Sequence, residues 1–116
     1  MPISRLSECI EATKKDVVEH NVLAPIVGHV GDGNFHLLIV VDTRKEEELE
    51  VVAGINDRLL KRALSMGGTI TGEHGIGLGK MEYLELEHSG GLSLMRSIKN
   101  SIDPDNIMNP GKIVLP

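Results

Sequence analysis

Three imidazoles and one carboxylate, set among glycines, are the residues of this sequence best suited to chemistry. They fall in two short stretches, Gly28-His29-Val30-Gly31-Asp32-Gly33-Asn34-Phe35-His36 and Gly72-Glu73-His74-Gly75. A hairpin pairing Val30 with Phe35 would place His29 opposite His36. Opposed Cβ atoms lie about 4.5–5.5 Å apart, close enough for two imidazoles to share a divalent ion. Glu73 would complete a set of two histidines and one carboxylate, which leaves positions open for water or substrate. His74, expected to point away from the atom that its neighbour Glu73 holds, is then available as a general base. Asp32 and Asn34 are candidates for hydrogen bonds that shape the loop or orient the ligands.

The elements that must position these groups can be read from spacing. Leu6, Ile10, Thr13 and Val17 recur at helical intervals behind Ser4 as an N-cap, which predicts a helix over 4–20 ending near Asn21. Residues 25–30 and 35–41 are apolar or β-branched runs around Gly31-Asp32-Gly33-Asn34, the pattern of a hairpin. A second helix is expected over 44–66. Thr43 and Glu46 form a capping-box pattern, and Leu49, Val52, Leu59, Ala63 and Met66 form the buried stripe. Gly67-Gly68 ends that helix, and Thr69-Ile70-Thr71 reads as a short third strand. A last helix over 89–102 carries Leu92, Met95, Ile98 and Ile102 on one face, followed by an extended tail over 109–114. The fold class this implies is α+β, a small and mainly antiparallel sheet with packed helices and a helical C-terminal tail, in a single domain over 1–116.

Composition narrows the function classes. Phe35 and Tyr83 are the only aromatics in 116 residues, so base stacking has almost nothing to work with. A net charge of −5 also disfavours a phosphate backbone, and no nucleic-acid partner is expected. Cys9 is the sole cysteine, which rules out an internal disulfide or a thiolate cluster and fits a reducing compartment. No run of about 18 apolar residues is present and no signal segment opens the chain. A cytoplasmic or soluble intracellular location is the expectation. His20 and His88 read as structural residues, and the charges of helix 44–66 as a solvated face. The glycine-rich stretch 72–79 lacks the spacing of a phosphate-binding loop.

Gly28–His36, Gly68–Lys80 and Asp103–Lys112, in this order, resemble the C-terminal region of FAD-linked 2-hydroxyacid dehydrogenases, flavoproteins of the vanillyl-alcohol-oxidase type. The resemblance covers nearly the whole chain, and residues 2–6 with 28–36 are most similar to the D-lactate branch. It implies that His29, His36 and Glu73 bind a divalent metal, commonly zinc. It also implies that His74 contacts substrate and removes the hydroxyl proton as hydride passes to the flavin. Dicarboxylate-using relatives can place Asn two residues after the second histidine. Leu38 stands there, which suits a small acid such as lactate or glycolate. The family's FAD-binding domain lies N-terminal to this region, and nothing in these 116 residues resembles it.

The expected function is therefore metal-assisted oxidation of a small 2-hydroxy acid by a portion that is inactive without its FAD-binding domain or subunit. A metal-dependent hydroxy-acid binding module without catalysis is the alternative. A hydrolase ranks last, because neither a nucleophile elbow nor a His-Glu-x-x-His helix is present. An apolar face left for the flavin domain would also favour homo-oligomers.

Overall fold

The computed structural model describes residues 1–114, and the chain divides into two compact units, Met1–Thr69 and Ile70–Pro116, where the sequence reads as one domain. Each unit is built around its own anchors. Together the described residues contain four α-helices and one two-stranded antiparallel sheet, an α+β arrangement.

In the first unit α1 spans Ile3–Glu19 and α2 spans Glu46–Ser65. α1 buries Leu6, Cys9, Thr13, Asp16 and Val17, residues that recur every three or four positions and so share one side of the helix. Ile10, expected in that stripe, is only half-buried. No side chain caps α1, and its first turn closes through the Arg5 N–H donating to the Pro2 carbonyl at 3.0 Å. Asn21 stops it in the left-handed conformation (φ 53°), with the Asn21 and Val22 N–H groups bonding back to Val18 and Val17. At the end of α2, Gly67 and Gly68 make the same pair of bonds to Leu64 and Ala63.

α2 buries Ile55, Leu60 and Ala63, whereas Leu49 is 40% exposed. The Thr43–Glu46 capping box does not form. Instead Glu48 reaches back to accept the Asp42 N–H at 3.0 Å, and the Asp42 carboxylate accepts the Arg44 N–H. The two helices are joined by a buried carboxylate. Asp16 accepts three hydrogen bonds of 2.7–3.1 Å from the Arg58 guanidinium, and Arg62 donates to the Thr13 hydroxyl.

β1 (Ile26–Val27) pairs with β2 (His36–Leu37), and the Leu23–Val40 bridge continues the same register. Alternation then sets the two faces of the ribbon. Ala24, Ile26, Leu37 and Ile39 are half-buried, while Leu23, Val27, Leu38 and Val40 are exposed. The ribbon is shorter than the two runs predicted.

The second unit holds α3 (Met81–His88) and α4 (Leu92–Ile102). Ile70, Tyr83, Leu84 and Asp103 are its buried residues. Thr69–Thr71 is not a strand: the Ile70 N–H donates to Glu87 and the Ile70 carbonyl accepts the Lys80 ammonium, so side chains occupy the groups a ladder would need. Residues 109–114 form turns and bends rather than an extended tail, with Asn109, Gly111 and Ile113 at positive φ. α4 starts later than expected and buries none of its residues; Ile98 and Ile102 are exposed.

Candidate functional site

His29 and His36 belong to the first unit and stand at the two ends of one tight loop. The register pairs His36 with Val27, not with His29. His29 instead enters a single 3-10 turn over Val30–Asp32, and its carbonyl accepts the N–H groups of both Asp32 and Asn34, at 2.9 and 3.2 Å. These bonds use up the backbone that the expected hairpin would have extended. Directly opposed imidazoles are thereby replaced by one exposed histidine on the turn, His29, and one half-buried histidine on the strand, His36.

Two glycines permit this shape. A Cβ on Gly28 would lie 2.5 Å from both the Asn34 carbonyl oxygen and the Phe35 Cα, so the returning limb leaves no room for a side chain. Gly33 closes the turn at φ 71°, a left-handed conformation, and accepts the Met1 ammonium at 2.8 Å through its carbonyl. Gly28 was legible only as part of a motif, not as a site of close approach.

Glu73 and His74 belong to the second unit, on the loop between Ile70 and α3. The base of that loop is pinned from both sides of Ile70, which is 2% exposed: the Lys80 ammonium donates to its carbonyl at 2.7 Å, and its N–H donates to Glu87 at 3.1 Å. Farther along, the Ile113 N–H donates to the Gly77 carbonyl at 3.0 Å. The Glu73 and His74 side chains are exposed. Glu73 Oε1 stands 3.6 Å from His74 Nε2, so the neighbours converge where the sequence suggested divergence. A chain bend at Gly72–His74 brings them together. An exposed carboxylate beside an exposed imidazole can orient it or present an oxygen and a nitrogen to a common ligand. Lys80 and Glu87 escaped sequence reasoning, because side chains that reach ten and seventeen residues back leave no periodic signal.

Imidazole nitrogens and a carboxylate oxygen are the donors that divalent zinc, manganese or iron accept, so the residue types fit such an ion. The ionic cluster around Asp16 is structural. Arg58 beside Asp16 holds that carboxyl below the usual carboxylate range, burial opposing, and His20 Nδ1 lies 3.2 Å from the same group. His20 thus serves the α1–α2 junction, as expected for a structural histidine.

The architecture and motifs define a class: the chain belongs to the FAD linked oxidases, C-terminal domain family, whose model matches residues 1–113. It is 52% identical over 98% of its length to a probable mitochondrial D-lactate dehydrogenase of Danio rerio. It is 51% identical over 97% of its length to the mitochondrial D-lactate dehydrogenase (cytochrome) 1 of Saccharomyces cerevisiae. With the glycolate oxidase subunit GlcD of Bacillus subtilis it shares 36% identity over 97% of its length. The chain spans 23%, 19% and 24% of these three relatives, respectively. A family of FAD-linked oxidases implies a flavin-binding partner domain. Among the described residues no helix is long and apolar enough to cross a membrane.

Proposed function

We propose that residues 1–116 act as one functional portion, the substrate and metal side of an FAD-dependent D-2-hydroxyacid dehydrogenase acting on a D-lactate-like acid. The observation that carries this reading is the accessible Glu73–His74 pair, on a loop pinned at Ile70 by Lys80 and Glu87. Fixed anchors beneath exposed polar groups are what a substrate site needs. Leu38 supports a small monocarboxylic acid, since it lies on the same ribbon face as His36 and is half exposed.

In this reading His29, His36 and Glu73 hold a divalent ion, zinc by first choice, and His74 accepts the hydroxyl proton of the acid. When bound, the metal supplies Lewis acidity at the hydroxyl and carboxylate oxygens and FAD supplies the hydride acceptor. Glu73, 3.6 Å from His74, orients the imidazole that accepts the proton. Alone, the chain does not turn over, because no hydride acceptor is bound. A soluble intracellular location fits the lone, buried Cys9; the yeast and zebrafish relatives are described as mitochondrial.

Elemental analysis of zinc-treated, desalted protein tests the metal assignment. Near one ion per chain is expected for the wild type, with loss in His29→Ala/His36→Ala and in Glu73→Gln. Equal metal in all three proteins would refute the assignment. Acid binding that needs no flavin-binding partner for function would favour the binding-module alternative.

A further inference from the structure

α4 is an amphipathic helix that buries none of its residues. Leu94, Ile98 and Ile102, spaced one turn apart and so aligned along one side, are 64%, 51% and 71% exposed. Ile107 and Met108 follow at 78% and 60%. Their exposure is not that of a frayed end. The buried Asp103 carboxylate accepts the Ile107 and Met108 N–H groups at 3.0 and 2.9 Å and pairs with the Lys99 ammonium, which also donates to the Met108 carbonyl. Asp103 and Lys99 therefore fix the backbone that holds the last two apolar side chains out and spend their charges on each other. Five large exposed apolar residues, three aligned on one side of α4 and two on the tied-down turn that follows it, are the kind of surface that marks a docking site.

We infer that the stripe Leu94–Ile98–Ile102 with Ile107 and Met108 docks the flavin-binding polypeptide. The choice of occupant rests on the reading above and on length. The chain matches a C-terminal domain and spans only 19–24% of its relatives, so over three quarters of each relative lies outside the match. A stripe of large apolar side chains beside a Lys99–Asp103 pair that spends its charges internally suits an apolar protein face rather than a phosphate-bearing ligand.

The test mixes the 116-residue chain with the flavin-loaded portion of the Danio rerio relative that lies outside the match. Binding is followed by calorimetry and hydrogen exchange. Complex formation with slowed exchange over 92–108 is expected. Ile98→Glu should weaken binding at least tenfold, while Asn100→Glu, on the opposite side of α4, should not; circular dichroism of each variant confirms folding. Equal binding by Ile98→Glu, without protection over 92–108, overturns the docking surface and leaves the flavin-partner reading standing. Absence of any complex with the wild type overturns both. A homodimer that Ile98→Glu dissociates, with no flavin partner bound at α4, assigns the face to a second copy and overturns the occupant.

Discussion

Replacing Gly28 with alanine should unfold the loop that carries His29 and His36, for a reason that can be worked out from two distances. The new Cβ would sit 2.5 Å from the Asn34 carbonyl oxygen and 2.5 Å from the Phe35 Cα. Ordinary contact between carbon atoms begins at about 3.5 Å, so each approach is roughly 1 Å too close. Both obstructing atoms are backbone, and no side-chain rotation relieves them. Overpacking of this kind costs about 2–3 kcal/mol, which corresponds to a drop in melting temperature of about 10–20 °C for a unit of this size. Gly31→Ala is the control, because a Cβ there meets nothing within 4 Å. Thermal melts of the three proteins, each paired with zinc content, give the answer. Gly28→Ala should melt far below the other two and bind less zinc. A Gly28→Ala protein that melts with the wild type and keeps its zinc would refute the close-approach argument and the role given to the loop.

Other outcomes follow from the ionic anchors and from Cys9. Asp16→Asn should cost about 2–3 kcal/mol at pH 7, less than a fully buried pair, because the Arg58 side chain is 42% exposed. The folded Asp16 carboxyl titrates below its unfolded value, so its stabilisation is complete above the unfolded pKa and disappears as pH falls through the folded one. Urea unfolding should therefore show the gap between wild type and Asp16→Asn closing below about pH 4; a pH-independent gap would contradict the pairing. Lys99 holds the Asp103 carboxyl low in the same sense. Asp103→Asn should lose acid-dependent stability in the second unit and speed hydrogen exchange at Ile107 and Met108, whereas unchanged exchange would count against the knot. Cys9 is fully buried and burial pushes its thiol up, so a thiol reagent should modify it only as fast as the first unit opens. Modification much faster than unfolding would show that α1 is not packed as described.

How far the sequence could be read depended on whether an interaction is local. α1 and α2 were legible because apolar spacing and the Asn21 and Gly67-Gly68 stops are written in consecutive residues. α3 escaped because Glu82-Tyr83-Leu84-Glu85-Leu86-Glu87 nearly alternates charged and apolar residues, imitating a strand while using good helix formers. Ile70 looked like a strand residue since nothing near it announces that Lys80 and Glu87 take its backbone groups. The four candidate site residues were visible by type and glycine context. Their arrangement was not: the offset of His36 from His29 follows from a 3-10 turn, and the Glu73–His74 approach from a bend. Turn conformation is decided by backbone bonds that residue identity alone does not specify.

The most direct measurement is D-lactate-dependent flavin reduction in the complex of this chain with the flavin-loaded portion of the Danio rerio relative, followed by stopped flow. The account predicts rapid bleaching only when both parts are present, with His74→Ala slowing the step by about a hundredfold or more. Reduction by the flavin portion alone, or an equally fast His74→Ala complex, would contradict it.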